Sequence, residues 1–130
     1  MRIAIIGAGA VGGVLAARLT SAGERVTLVG RDDQVRAVNE QGLSVRSQAG
    51  VETVAVRAVT RLDSEQDLVV FATKTQDLAE AVESHRGELG RCSLLSTQNG
   101  VRADAVLADY VDRERLMSSI VMFEIGRAHV

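Results

Sequence analysis

Gly7, Gly9 and Gly12 follow a short apolar run in the spacing G-x-G-x-x-G, and a turn of that composition can cradle the pyrophosphate of a dinucleotide. Each position has its own reason to lack a side chain. Gly7 permits the tight turn, Gly9 lets the backbone approach the phosphates, and Gly12 lets the following helix pack closely on its strand. Ala8, Ala10 and Val11 fill the intervening positions and are grouped with the glycines as cofactor-binding residues. Downstream, Arg31 follows Gly30, Lys74 opens the run Lys74-Thr75-Gln76-Asp77, and Asn99 lies in Gln98-Asn99-Gly100-Val101. The planar guanidinium of Arg31 can stack on adenine and pair with a 2′-phosphate. An ammonium at Lys74 can contact a substrate carboxylate, a phosphate or a nicotinamide ribose, and the Asn99 amide can hydrogen-bond substrate or nicotinamide without changing charge. The competing reading makes Lys74 a solvated charge and Thr75 or Asn99 a helix cap.

These side chains need a frame, and the hydrophobic pattern supplies one. Residues 3–6 are β-rich with no polar alternation, as in a parallel strand covered on both faces. Val11, Val14, Leu15, Leu19 and Ala22 recur at helical spacing, so a helix starts beside the turn, aims its unpaired N–H groups at the phosphates and ends at Gly23. A second strand at Arg25–Val29 completes a βαβ unit of roughly thirty residues. Asp32 or Asp33 can cap a short helix that runs to about Asn39 and is closed by Gly42. Leu43–Ser47 and 51–59 alternate in polarity around Gln48-Ala49-Gly50, which predicts an antiparallel hairpin at a sheet edge. Residues 67–73, 92–97 and 116–123 read as further strands, with a helix over 75–88 between the first two. The predicted fold is α/β, a doubly wound Rossmann-type domain with a mostly parallel sheet and an inserted hairpin. Ligands bind such sheets beyond the carboxyl ends of the strands, which singles out the residues just after Ile6, Val29, Thr73 and Thr97.

An NAD-specific site places an acid at the end of the second strand to bond the ribose 2′-hydroxyl. Gly30 and Arg31 stand there instead, which favours NADP(H); the other reading leaves Arg31 solvated and gives the ribose to Asp32. Composition excludes other classes. The chain is 46% hydrophobic and 25% charged with net charge −2, and it has no apolar run near the ~20 residues of a membrane span. Three aromatics and no basic stripe argue against a nucleic-acid partner. The N-terminus imitates a secretory signal, but its four apolar residues fall short of an h-region of about 7–15, so the chain is expected to be cytoplasmic. Cys92 is the single cysteine and reads as a small core residue. His85 shares helical spacing with Leu78, Val82 and Leu89 and reads as a packed or boundary helix residue rather than a catalyst, and no cluster has metal-ligand spacing, so no metal is expected. Proline is absent, nothing resembles an interdomain linker, and one domain is expected.

Taken together, GAGAVGG at 7–13, VTLVGR ending in Arg31, ATKTQDL with Lys74 and TQNGV with Asn99 resemble the ketopantoate reductase family over essentially residues 1–123. The resemblance implies an NADPH-dependent reduction of 2-dehydropantoate to pantoate, in pantothenate synthesis, although the family also contains members of unassigned substrate. It implies that Gly7, Gly9 and Gly12 carry the pyrophosphate, Arg31 the 2′-phosphate, and Lys74 and Asn99 the nicotinamide end and a small 2-oxo acid substrate. It also allows a homodimer of the full-length protein. In that family the lysine that protonates the developing alkoxide lies in a second, helical domain, which this chain is expected to lack, so the chain alone is expected to be inactive. Residues 125–130 are what an in-frame sequencing adapter would encode; 124–130 are accordingly read as a non-native tail, against a native Gly-x-x-His segment. Two other classes share the glycine turn: a nucleotide-sensing domain of a transporter or channel, and a flavoprotein. Both normally carry an acid where Gly30-Arg31 stands.

Overall fold

The computed structural model describes residues 1–90, 92–97 and 116–117. Among these residues, eight strands and three α-helices occur in the order β1 (Arg2–Ile6), α1 (Ala10–Ser21), β2 (Arg25–Val29), α2 (Asp32–Gln41), β3 (Leu43–Ser47), β4 (Gly50–Val54), β5 (Arg57–Val59), β6 (Leu68–Phe71), α3 (Thr75–Ser84), β7 (Ser93–Ser96) and β8 (Leu116–Met117). Six strands form a parallel sheet in the order β5-β2-β1-β6-β7-β8, with Ile5 in register with Leu28 on one side and Val70 on the other. The chain builds outward from β1 to β2 and β5, then returns to place β6 on the opposite flank. The order therefore reverses between β1 and β6, where a doubly wound sheet opens a crevice for ligand.

The unbroken apolar runs of β1 and β6 follow from burial on both faces. Ala4, Ile6, Val69 and Phe71 face a core closed by Leu78 and Val82 of α3, whereas Ile3, Ile5 and Val70 face a second core with Ala16 of α1 and Val38 of α2. At the top of β1 the ladder continues past the strand end: Gly7 N–H donates to the Val29 carbonyl at 2.9 Å and Ala72 N–H to the Ile6 carbonyl at 2.8 Å. The carboxyl ends of three adjacent strands are thereby tied together.

The structure departs from the sequence reading in several places. Residues 51–59 are two strands. β4 pairs with β3 in a separate two-stranded sheet, and the chain then turns through Ala55 and Val56 so that β5 can join the main sheet beside β2. Burial decides the break, since Val56 and Ala58 are both packed into the core. The Asn39 amide secures the new edge strand, donating to the Ala58 carbonyl at 3.0 Å and accepting the Ala58 N–H at 3.1 Å. Neither Asp32 nor Asp33 is the cap of α2; both lie in its first turn, where their charge suits the helix dipole, and Arg31 is the cap residue. The helix runs to Gln41 before Gly42, at φ 76°, ends it. The helix expected over 75–88 stops at Ser84, and a single 3₁₀ turn follows at Arg86–Glu88. His85 sits at the junction, buried as expected, with Nδ1 2.9 Å from the Ala81 carbonyl. The strands expected at 67–73 and 92–97 are shorter, Leu68–Phe71 and Ser93–Ser96, and of 116–123 only Leu116–Met117 is described. Cys92 is buried, its thiol donating to the Leu89 carbonyl.

Candidate dinucleotide site

The glycine turn lies over the sheet's reversal point, and its three glycines are held there for three different reasons. Gly7 has φ 116°, and a side chain on it would come within 2.9 Å of the Ala72 carbonyl group and 3.1 Å of the Thr73 nitrogen. The left-handed backbone and the close passage of the β6–α3 loop both require glycine. At Gly12 an added methyl would overlap the Gly7 carbonyl, so α1 approaches β1 as closely as a bare backbone allows. Gly9 is different: it is exposed, extended at φ −78° and ψ −166°, and a side chain there would meet nothing within 4 Å. A side chain there would point into open space, the room that a bound pyrophosphate would need.

The first intrahelical bond of α1 runs from Gly13 N–H to the Gly9 carbonyl at 2.8 Å, so the N–H groups of Ala10, Val11 and Gly12 have no helical acceptor. With no side-chain cap and no acidic residue in the first turn, the positive end of the α1 dipole is left for an external anion. Of the predicted stripe, Leu15 and Leu19 pack against the core, whereas Val11 and Val14 are 43% and 44% exposed and Ala22 is exposed too; the fully buried residues of α1 are Gly12, Ala16 and Ala17. Small residues replace large ones because the helix sits so close to β1.

At the end of β2, Gly30 is hemmed in. A side chain there would come within 2.8 Å of the Ala8 methyl and 3.0 Å of Gln34 Oε1, so the position of an NAD-type acid is closed by the turn itself and by α2. Arg31 is exposed and makes no ion pair among the described residues. Lys74, also exposed, is the cap residue of α3, three positions beyond the end of β6. Beside it, Thr73 Oγ1 is buried with no hydrogen-bond partner, a polar atom orphaned at the rim of the crevice. Sequence reasoning missed Thr73 and Gln34. The signal was present in their positions, one directly before Lys74 and the other three residues after Arg31. Asn99 lies outside the described residues, as do 124–130.

An open cradle at Gly9, unpartnered N–H groups at Ala10–Gly12, an orphaned hydroxyl and an exposed guanidinium all fit a phosphate-bearing nucleotide. Away from the turn, the Arg57 guanidinium, hydrogen-bonded to Asp63 at 2.7 Å near the start of β5, keeps that carboxyl below the ordinary carboxylate range. A surface cavity of about 340 Å³ at the C-terminal end of α2, lined by Val38, Asn39, Gly42, Thr53 and Val56, is also remote from the turn. Among the described residues no group of His, Cys, Asp or Glu could hold a metal ion, and no helix is long and apolar enough to cross a membrane.

A parallel doubly wound sheet with this turn at its reversal point defines a dinucleotide-binding domain of Rossmann type. Comparison with known proteins narrows the class: residues 3–129 match the family described as ketopantoate reductase PanE/ApbA, and the chain belongs to it. The 2-dehydropantoate 2-reductase of Pyrococcus abyssi is 43% identical over 104 residues, a match that covers 78% of this chain and 34% of that protein. The Mesorhizobium japonicum enzyme of the same name is 36% identical over 105 residues, covering 78% and 32%. Among solved structures, the 2-dehydropantoate 2-reductase of Geobacter metallireducens matches with TM-score 0.82 at 32% identity, over 91% of this chain and 40% of that one. The chain thus spans about a third of the length of these curated relatives.

Proposed function

We propose that this chain is the NADP(H)-binding part of a cytoplasmic 2-oxo acid reductase whose substrate is 2-dehydropantoate. The observation that carries the cofactor assignment is the empty cradle at Gly9 set beside Gly30-Arg31, where the acid of an NAD site has no room. Membership of the family supports the reaction class, since curated relatives, one of them 43% identical, are named for it. In this reading the N–H groups of Ala10, Val11 and Gly12 bind the pyrophosphate, and the closeness of α1 to β1, set by Gly7 and Gly12, holds them in position. Arg31 pairs with the 2′-phosphate. Lys74 and Asn99, which follow the strands on the far side of the reversal, hold the nicotinamide end and the substrate carboxylate or ketone. The reduced nicotinamide supplies the hydride when bound.

Two outcomes test this reading. Arg31→Ala removes a charge-assisted hydrogen bond of about 1.5–3 kcal/mol, so NADPH affinity should fall by roughly tenfold to a hundredfold while NADH binding barely changes. Fluorescence titration of both proteins with both cofactors measures it; equal NADPH affinity in the two would refute the role of Arg31. The second outcome concerns turnover. Gly9, Ala10, Val11, Arg31 and Lys74 are all exposed, so the described residues form one open wall of a site that must exclude water. Lys74 is also the only lysine in the 130 residues, and it is assigned to binding. With no second lysine in these residues to protonate the ketone, a loss of about 10²–10⁴-fold is expected from that cause alone. These 130 residues by themselves should bind NADPH yet oxidise it with 2-dehydropantoate only at background rate. Substantial turnover would contradict this division of labour.

A further inference from the structure

We propose that Gln34 selects a 2′-phosphate over a 2′-hydroxyl at the adenosine end of the site, as a specificity-determining partner of Arg31; the inference rests on the NADP(H) reading above. Gln34 is the third residue of α2 and is half-buried. Its Oε1 accepts the Arg31 backbone N–H at 3.0 Å. Only the oxygen of an amide accepts, so this bond fixes the side chain's orientation and leaves the Nε2 group as the free end. The same oxygen lies 3.0 Å, and Gln34 Cβ 3.5 Å, from the point where a side chain on Gly30 would begin. Together with the Ala8 methyl, Gln34 therefore fills the volume that an acid at the end of β2 would need.

The chemistry of the position is thereby inverted. An acid there accepts the proton of a ribose 2′-hydroxyl. Gln34 offers two N–H donors with no acceptor among the described residues, which suits phosphate oxygens, since they only accept, and leaves the proton of a hydroxyl only the second lone pair of an Oε1 already engaged by Arg31 N–H. Gln34 carries no charge, so the attraction comes from Arg31. That attraction works against two exposed acids in the same turn, Asp32 and Asp33, which repel a phosphate. Selection therefore needs donors placed close to the phosphate as well as a cation near it. By holding the Arg31 N–H, Gln34 also starts α2 at that residue and keeps Arg31 in the extended conformation of a cap, φ −77° and ψ 162°, at the edge of the site.

A bland alternative makes Gln34 a helix cap and nothing more. Two variants of the 130-residue chain separate the readings, each checked for folding by circular dichroism and titrated with NADPH and NADH. Gln34→Glu keeps the length and the acceptor for Arg31 N–H, and its charge suits a helix N-terminus, so a mere cap would be preserved or improved. Selection requires instead that NADPH affinity fall by about tenfold to a hundredfold while NADH affinity holds or rises. Gln34→Met keeps the volume but loses the amide without adding a charge, and it should lower the NADPH-to-NADH affinity ratio by about three- to tenfold. If wild type prefers NADPH and Gln34→Met keeps the full ratio, the assignment of Gln34 is overturned while the cofactor reading stands. If wild type itself shows no preference for NADPH, both fall.

Discussion

Gly12→Ala is expected to destabilise the chain by about 3 kcal/mol, and Gly13→Ala, one residue on, to stabilise it by about 0.5–1 kcal/mol. In an ordinary helix both changes would help, because alanine loses less backbone entropy than glycine on folding. At Gly13 the new methyl would meet only Leu43 Cδ2 at 3.8 Å, an ordinary contact, so propensity decides the sign. At Gly12 it would overlap the Gly7 carbonyl and press to 3.3 Å on the Ala72 methyl. The obstacle is backbone, which cannot rotate away as a side chain can, and α1 must lift from β1. Overpacking of this kind typically costs about 1–3 kcal/mol, and a backbone obstacle puts Gly12 at or above the top of that range. Urea denaturation of the two variants checks the contrast. Similar midpoint shifts of the same sign would show that α1 does not sit on β1 as described. Because lifting α1 also displaces the N–H groups of Ala10 and Val11, the Gly12 variant should lose cofactor affinity even where it still folds.

What the sequence makes legible depends on the range of the forces involved. The turn at Gly7, Gly9 and Gly12 can be read because its glycines stand at a fixed short spacing, Gly7 answering a local backbone demand and Gly12 a close approach, and the strand before it because burial on both faces leaves an unalternating run. Gly23 and Gly42 end their helices in left-handed conformations for the same local reason. The break within 51–59 could not be read. No glycine or proline marks it, and it exists because Val56 and Ala58 gain a core built from distant strands and helices and Asn39, 19 residues from Ala58, gains a bracket on β5. Helix α1 misled in the other direction. Leu15 and Leu19 of the predicted stripe do pack on the core, yet Val11 and Val14 are exposed and alanine and glycine are the fully buried residues, since close packing rewards small residues and periodicity arguments weigh large ones. Gln34 was overlooked because its role depends on Gly30 and Ala8 standing where they do, and neither neighbour announces that in sequence.

Gly9→Val is expected to leave the fold intact and remove cofactor binding. Its backbone, at φ −78° and ψ −166°, is one that valine adopts readily, and a side chain there has no protein atom within 4 Å. The cost to folding should be confined to the loss of glycine as a tolerable cap residue, about 1 kcal/mol or less. The cost to binding is of another order. The branched side chain would occupy the space that the pyrophosphate needs and shield the N–H groups of Ala10 and Val11, so affinity should fall by more than about a hundredfold, or roughly 2.8 kcal/mol.

The most direct test of the central claim, that this turn is a dinucleotide cradle, is a calorimetric titration of NADPH into the 130-residue wild type and into Gly9→Val under identical conditions. The expected result is saturable binding at one site per wild-type chain and no measurable heat of binding with a Gly9→Val protein whose thermal unfolding is still cooperative. Undiminished NADPH affinity in that folded variant would contradict the account, because the space at Gly9 would then hold no part of the ligand.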